Sequence, residues 1–468
     1  MSNEHEHAEV AEYHVLGELG RGGQAVIKLA VPAGDTENLV VLKAPHEELI
    51  NESRVARMLA TEANLMSRMV HQNICSVTGL RRFKSELVIE MEYLRGQSLR
   101  RVLHRSESQG EFPIDLHLRV IYQVLEALDY AHRLEGDDGW CMNVVHRDVS
   151  PHNVILTYDG KVKLLDFGIA KLSAVDLSTT VGTLKGKLVY MAPEQLEPDK
   201  ADHRSDLFAV GVMLWEALTG RRMWQDLDQK VVAHHLATGT LPDVVSNNPL
   251  IPGPLKALCA SALAPIPQLR PNSAREFSNA LRDYLTRSDR VVGNPSVGKR
   301  VAQLFAKERR QMERLVGAEL KKLHQARSGR RPSRTYADTV PPSQATHAPQ
   351  VLVIDDSELS RGLMIELLEE SGIRTVGLPT AINALRVVIE RRISLIISDV
   401  NMPELPGNEL VRQIRSHPAT RHVPIFLTSA LSLDELGNVD ANGLIEKDRL
   451  EDELVPLVRR TLAMQENP

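Results

Sequence analysis

Glycines, lysines and carboxylates recur along this chain at spacings that suit phosphate chemistry, in two separate stretches. In the first, the run GRGGQAVIKLA follows a strand-like HVLGEL, and Gly20 and Gly22 let backbone N–H groups approach a polyphosphate without side-chain obstruction. Lys43, in VVLKA, falls on a predicted strand, and Glu62, in the amphipathic TEANLMSRM, can bring a carboxylate to its ammonium. Further on, VVHRDVSPHNVIL holds His146, Arg147, Asp148 and Asn153 between apolar strands, LLDFG supplies Asp166 and MAPEQ supplies Glu194. Each feature alone is commonplace, whereas the ordered series is specific. In the second stretch, VLVIDDS ends a predicted strand with Asp355 and Asp356, and SLIISDVNMP ends another with Asp399. Strand carboxyl ends share one edge of an open α/β sheet, where gathered carboxylates repel one another unless a hard divalent cation such as Mg²⁺ shares them. One of the three can then serve as a nucleophile. Ser429, ending VPIFLTS, and Lys447, ending GLIEK, add a hydroxyl and a cation suited to holding a transferred phosphoryl group.

These residues need two scaffolds. Residues 13 to about 285 alternate short β-rich runs with longer helical periods, which reads as one large α+β unit. Residues 350–464 alternate strand-like runs with amphipathic stretches, the pattern of a parallel sheet with crossover helices. Residues 1–12 form an N-terminal tail, and 286–349 read as a linker, ending in the Pro-, Ser- and Arg-rich SGRRPSRTYADTVPPSQATHAPQ. Within that linker Val301, Leu304, Phe305, Met312, Leu315, Val316, Leu320 and Leu323 recur at helical intervals and predict one amphipathic helix. Residues 299–334 hold 12 Lys and Arg against 3 Glu. The basic side chains oppose the apolar stripe and lack interleaved aromatics. That favours a solvated helix packed on the first unit, or pairing with another chain, over nucleic acid or anionic lipid. A length of 468 residues with 43% hydrophobic and 25% charged residues excludes wholesale disorder, and the net charge of −5 gives no global pull toward nucleic acid. Three widely spaced cysteines exclude a disulfide framework and a thiolate zinc site. The acidic amino terminus and the lack of a long apolar run predict a cytoplasmic protein with no membrane span.

In order and spacing, the first set resembles the eukaryotic-like Ser/Thr protein kinase family, in its bacterial branch. The resemblance implies a bilobal α+β protein kinase fold using ATP and Mg²⁺ to phosphorylate Ser and Thr of protein substrates. Lys43, oriented by Glu62, would hold the α- and β-phosphates beneath the loop of Gly20, Gly22 and Ala25. Asn153 and Asp166 would bind Mg²⁺, and Asp148 would take the substrate hydroxyl proton. MEYL, with Met91, Glu92 and Leu94, looks like the adenine-binding hinge. Asp206 and the pair Glu194 and Arg270 match fold anchors. Ala25 stands where a third glycine is usual, and Ser150 where the family has a lysine that contacts the γ-phosphate. Lys187, in GTLKGKLVYMAPE, either reaches back to restore that charge or is a solvent-exposed lysine. The activation loop, Ile169 to Met191, offers Thr179, Thr180 and Thr183 as phosphorylation sites that Arg147 would pair with. RLEGDDGWCMNV, longer than the usual turn before the catalytic loop, predicts a surface hairpin.

The second set resembles the receiver domain of two-component response regulators, implying an α/β flavodoxin-like fold. Asp399 would be phosphorylated by a phosphohistidine donor, with Mg²⁺ held by Asp355, Asp356 and Asp399, and switching would run through Ser429 and Lys447. Asp448 stands where Pro is usual, Leu444 replaces the switch aromatic, and the short stretch from Ser429 to Lys447 predicts a truncated fourth helix. The whole chain therefore reads as a multidomain Ser/Thr kinase tuned by a receiver, with homodimerisation open. The alternative is a weak pseudokinase scaffold that binds ATP and docks partners, the receiver being its output or phosphate sink.

Overall fold

The computed structural model describes residues 9–21, 25–35, 38–46, 53–84, 86–167, 188–196, 200–224, 227–242, 251–287, 293–327, 350–356, 358–400, 402, 405–429, 440–446 and 449–466. Gly22, Thr179, Thr180, Thr183, Lys187, Lys447 and the segment expected to hold the truncated helix lie outside them. The chain divides into two compact units, built mainly on residues 39–306 and 307–468. Among the described residues, no helix is long and apolar enough to cross a membrane.

The amino-terminal strands are β1 (Glu9–Val10), β2 (Tyr13–Arg21), β3 (Ala25–Pro32), β4 (Val40–Pro45), β5 (Val77–Phe83) and β6 (Glu86–Glu92), in the sheet order β1-β5-β6-β4-β3-β2. Strand β4 runs antiparallel to β6, with Lys43 opposite Ile89. Helix α1 (Ser53–Ser67) turns Leu59, Ala63 and Met66, spaced by four and three, into the core, and Glu62 shares that buried side. A small antiparallel sheet follows: β7 (Gly96–Ser98), β8 (Val154–Thr157) and β9 (Val162–Leu164), in that order. The helices around it are α2 (Leu99–Gln109), α3 (Ile114–His132), α4 (His203–Thr219), α5 (Gln229–Thr238), α6 (Gly253–Ala262) and α7 (Ala274–Arg287).

Helix α4 is apolar nearly all round and correspondingly buried, as a central helix must be. The Asp202 side chain caps its first turn through Arg204 N–H, and Gly220, at φ +67°, ends it in the left-handed conformation that glycine adopts at least cost. Between α3 and the loop of His146, Met142 N–H donates to Leu134 O and Glu135 bridges Cys141, so the long segment folds back as a hairpin.

The apolar stripe of the linker is divided between two helices, α8 (Asn294–Leu304) and α9 (Ala306–Arg327), where the sequence predicts one. The break is Phe305, at φ −122° and ψ 34°. Val297, Val301, Leu304 and Phe305 are buried with the core of the first unit. In the second unit, α9 meets α10 (Glu358–Glu370). Gln311 donates to Glu366 at 3.1 Å, Arg314 pairs with Glu366 at 2.9 Å, and Leu315 lies over Gly362.

The second unit is a five-stranded parallel sheet of β10 (Gln350–Ile354), β11 (Arg374–Leu378), β12 (Leu395–Asp399), β13 (Ile425–Ser429) and β14 (Gly443–Glu446), ordered β11-β10-β12-β13-β14. Besides α9 and α10, the helices among its described residues are α11 (Ala384–Glu390), α12 (Gly407–Ser416) and α13 (Leu450–Glu466). Separate apolar clusters cover its two faces, which explains the unbroken apolar strands LIIS and IFLT.

A buried ion pair braces the first unit. Arg270, whose side chain is fully buried, grips both oxygens of Glu194 at 2.6 and 2.8 Å and lies over the Phe208 ring at 4.9 Å. Burial acts to raise the Glu194 pKa, but the Arg270 hydrogen bonds, the Ser205 hydroxyl and the Arg270 charge outweigh it and hold the value below normal. Arg270→Met keeps side-chain volume and leaves that carboxylate uncompensated. The substitution is expected to cost about 3–5 kcal/mol in the first unit's unfolding transition, read by urea denaturation. Superimposable wild-type and variant curves would show the pair to be dispensable.

Candidate active site and acidic metal site

The first site is assembled on four elements. Strand β4 carries Lys43, α1 carries Glu62, the loop before β8 carries Asp148 and Asn153, and Asp166 follows β9. Lys43 Nζ donates to Glu62 Oε1 at 2.6 Å and to Asp166 Oδ1 at 2.8 Å, so one ammonium joins carboxylates 19 and 123 residues away. Burial pulls the Lys43 pKa down, yet the charges of Asp166 and Glu62 overcome this and raise it, so the ammonium stays protonated across the neutral range.

Asn153 Nδ2 donates to Asp148 O at 2.8 Å and to Asp148 Oδ2 at 3.1 Å. The amide nitrogen is thereby committed to Asp148, and the carbonyl oxygen is the atom left to face a cation. Asp166, with its side chain 39% exposed, can offer a second oxygen. Two hard oxygen donors beside a lysine fit Mg²⁺ with a bound phosphate.

The loop conformation is imposed from below. Asp206, on α4, is buried and accepts from His146 N–H and Arg147 N–H, both at 2.8 Å, and from His132 Nε2 at 2.8 Å. Burial would raise the Asp206 pKa, but the His132 hydrogen bond and charge, with the His146 charge and backbone, more than offset it and lower the value. His146 Nε2 donates to Leu165 O at 2.8 Å, joining this loop to the one bearing Asp166. Arg147 and Asp166 hold φ values of +64° and +43°, which non-glycine residues adopt only where surrounding contacts enforce them.

Glu92 is turned inward by its side chain, which accepts from Ser76 N–H and Lys163 Nζ, both at 2.7 Å. Its carboxylate therefore ties the hinge segment to β9. Leu94, two residues on, is half-buried. At Gly20 a Cβ would meet nothing within 4 Å, so the protein's own packing does not demand that glycine. Ala25 opens β3, and Ser150 lies extended at φ −163° in the Asp148 loop.

The sequence reading missed Glu216. This residue, buried on α4, accepts from Tyr190 Oη at 2.8 Å and Met223 N–H at 3.3 Å, and so holds the segment leading to Glu194. The available signal was an acid inside the apolar run LFAVGVMLWEAL.

The second site lies at the carboxyl edge of the parallel sheet. Asp355, Asp356 and Asp399 offer oxygens all within 4.8 Å of one another, and Asp355 and Asp399 are buried. Such a set fits a divalent cation of the hard, oxygen-preferring kind. Ser429 ends β13 and is buried beside it. Ser360, on the first turn of α10 and also unanticipated, donates to Asp355 Oδ2 at 2.7 Å, while Arg361 donates to Asp355 O at 2.7 Å. A Cβ on Gly407 would stand 2.3 Å from Asp399 O, so only glycine lets α12 start this close to the acid.

Comparison with known proteins gives two family matches, "Protein kinase domain" over residues 13–281 and "Response regulator receiver domain" over residues 351–459. Tyrosine-protein kinase MasK of Myxococcus xanthus is 35% identical over 300 residues, covering 64% of this chain and 46% of that protein. A probable serine/threonine-protein kinase PknB of Lactococcus lactis is 28% identical, covering 54% of this chain and 38% of its own length. Serine/threonine-protein kinase PrkC of Bacillus subtilis is 29% identical, with 57% and 39% covered. The chain thus spans under half the length of these relatives. The solved PknI kinase domain of Mycobacterium tuberculosis aligns with TM-score 0.44 at 25% identity, covering 58% of this chain and 95% of that one.

Glu216 generates a pH prediction. Burial pushes its carboxyl up to about 7, against the lowering pull of Tyr190, Met223 N–H and the Arg100 charge. The folded chain thus keeps a proton that the unfolded chain releases above the ordinary value of 4.5. Stability is full below that value and falls as pH rises to about 7. Glu216→Gln, whose amide can accept from Met223 N–H and donate to Tyr190, is expected to remove that fall. Relative to wild type the variant should gain up to about 3 kcal/mol between pH 5 and pH 8 in chemical denaturation. A pH-independent difference would contradict the shift.

Proposed function

Because the chain belongs to the protein kinase family, we propose that it is an ATP-dependent serine/threonine protein kinase whose activity or partner choice is tuned by its phosphorylatable receiver. The observation that carries the kinase reading is the Lys43 ammonium held between Glu62 and Asp166, beside an Asp148 that is locked to Asn153. Lys43 would hold the α- and β-phosphates. Asn153 and Asp166 would keep Mg²⁺, whose charge offsets that of the phosphates, and backbone groups from Glu92 to Leu94 would take the adenine. Asp148 would accept the proton of the acceptor hydroxyl. That oxygen then bonds to the γ-phosphorus as the bond to the β–γ bridging oxygen breaks and ADP leaves. Gly20, Gly22 and Ala25 would cover the phosphates. Thr179, Thr180 and Thr183 remain candidates for modification opposite Arg147.

Ser150 favours a second reading. With no lysine at that position, charge on the γ-phosphate must be met by another group, for which Lys187 is our candidate, or the fold binds ATP without efficient transfer. MasK, a relative named a tyrosine-protein kinase, also makes the acceptor hydroxyl part of the test.

In the receiver, Asp399 would take a phosphoryl group from a phosphohistidine, with Asp355, Asp356 and Asp399 sharing Mg²⁺ and with Ser429 and Lys447 contacting the new phosphate. The tuning role is supported by the presence of a kinase domain and a receiver domain in one chain.

Incubating the chain with labelled ATP, Mg²⁺ and a general protein acceptor is expected to give phosphoserine and phosphothreonine. Asp148→Asn should lower the rate roughly 10²- to 10⁴-fold. ATP binding without transfer would leave the scaffold reading, and phosphotyrosine alone would reassign the acceptor. Acetyl phosphate should change the rate of wild type and not of Asp399→Ala; equal rates in all four conditions would separate the receiver from kinase control.

A further inference from the structure

Strands β8 and β9 form a hairpin whose two ends face different tasks. At the open end Asn153 directly precedes β8 and Asp166 follows β9 by two residues, and Leu165 N–H donates to Asn153 O at 2.8 Å. The closed end is the turn Tyr158–Gly160, where Gly160 has φ +93°.

Helix α8 is seated on that turn backbone to backbone. A Cβ on Gly298 would stand 2.5 Å from Gly160 N and 2.7 Å from Tyr158 O, and one on Gly160 would stand 2.1 Å from Asn294 O. No side-chain carbon fits at those separations, so each glycine is what lets the other's backbone approach.

A second path leaves the same helix. Asn294 Nδ2 donates to Gln123 Oε1 at 3.2 Å, and that oxygen also accepts from Asn73 Nδ2 at 3.0 Å. Asn73 in turn holds β9 at both of its ends, donating to Val162 O at 2.9 Å and accepting from Leu164 N–H at 2.8 Å. Arg119 Nε fixes the Asn294 amide by donating to its oxygen at 3.1 Å. Asn73 and Gln123 are 4% and 3% exposed, so this relay runs where hydrogen bonds have no competing water.

The helix is itself firmly held. Arg105 and Arg101 lie over the Phe305 ring at 4.7 and 5.6 Å, and Arg300 donates to the carbonyl oxygens of Gln109, Gly110 and Glu111 at the end of α2.

The kinase-family match ends at residue 281, before this helix begins. We infer that α8 is a built-in part of the catalytic lobe that positions Asn153 and Asp166, acting through the Tyr158–Gly160 turn and the Gln123–Asn73 relay. The inference rests on the kinase reading for the role of those two residues. Asn294 and Gly298 touch the backbone and the relay and are positioning residues.

The test compares full-length wild type, Asn294→Ala and Gly298→Ala. ATP affinity is measured by calorimetry across a Mg²⁺ titration, and phosphotransfer is followed in parallel. The Mg²⁺ concentration giving half the full gain in ATP affinity is expected to rise about tenfold, as when groups behind a metal ligand are removed. Metal-free ATP affinity and the KM for acceptor protein should be unchanged. Asn294→Ala deletes hydrogen bonds without adding bulk and supplies the result if Gly298→Ala fails to fold. Unchanged Mg²⁺ dependence in the folded variants overturns the inference, as does an equal loss of metal-free binding. Absence of phosphotransfer in wild type defeats the kinase reading alone, because the calorimetric comparison still decides what α8 does.

Discussion

The first unit depends on one buried carboxylate. Asp206 is placed in the middle of the hydrophobic core by α4, a helix so apolar that an uncompensated charge on it would cost several kcal/mol. Three donors remove that cost, and two of them are the backbone N–H groups of His146 and Arg147. The price of satisfying the acid is therefore a loop held in one conformation, including a left-handed Arg147 that a free chain would rarely visit. Asp148 and Asn153 inherit their position from that constraint. His146 then passes it to the Leu165 carbonyl, one residue before Asp166. A strained loop and the placement of a candidate metal ligand are thus successive consequences of a single interaction.

The receiver site brings several acids together. Asp206 and Glu194 are acids matched by fixed donors and have depressed pKa values. Asp355, Asp356 and Asp399 are gathered within 4.8 Å, where each acid raises the electrostatic cost of the next. Strand packing forces the arrangement: β10 and β12 are neighbours in register, so their carboxyl ends must meet, and Gly407 brings α12 down against Asp399. A divalent cation shared by the three acids would offset that repulsion.

Much of both sites was legible because the chemistry depends on charged residues at fixed short spacings, as in His146 to Asn153, or at strand ends, as in Asp355 and Asp399. The periodic core of α1 and the unbroken apolar runs of β12 and β13 were equally readable. Other features depend on contacts between distant residues of ordinary type. Nothing near Gly160 announces Gly298, and neither Asn73 nor Gln123 differs locally from any polar residue on a helix or loop. Glu216, an acid in an apolar run, was passed over, and its partner Tyr190 is fixed only by folding. Glu92 reads as a hinge residue, and only the fold shows its carboxylate turned toward Ser76 and Lys163.

The linker illustrates a deeper limit of periodicity. An apolar residue every three or four positions says that a face is buried and does not say against what. The stripe from Val301 to Leu323 continues across Phe305 without a change of phase, yet the side chains before and after that point are buried with different partners. The cause of the break is local: Phe305 leaves helical geometry and its ring is covered by two guanidinium groups, an arrangement worth more when desolvated than at a surface.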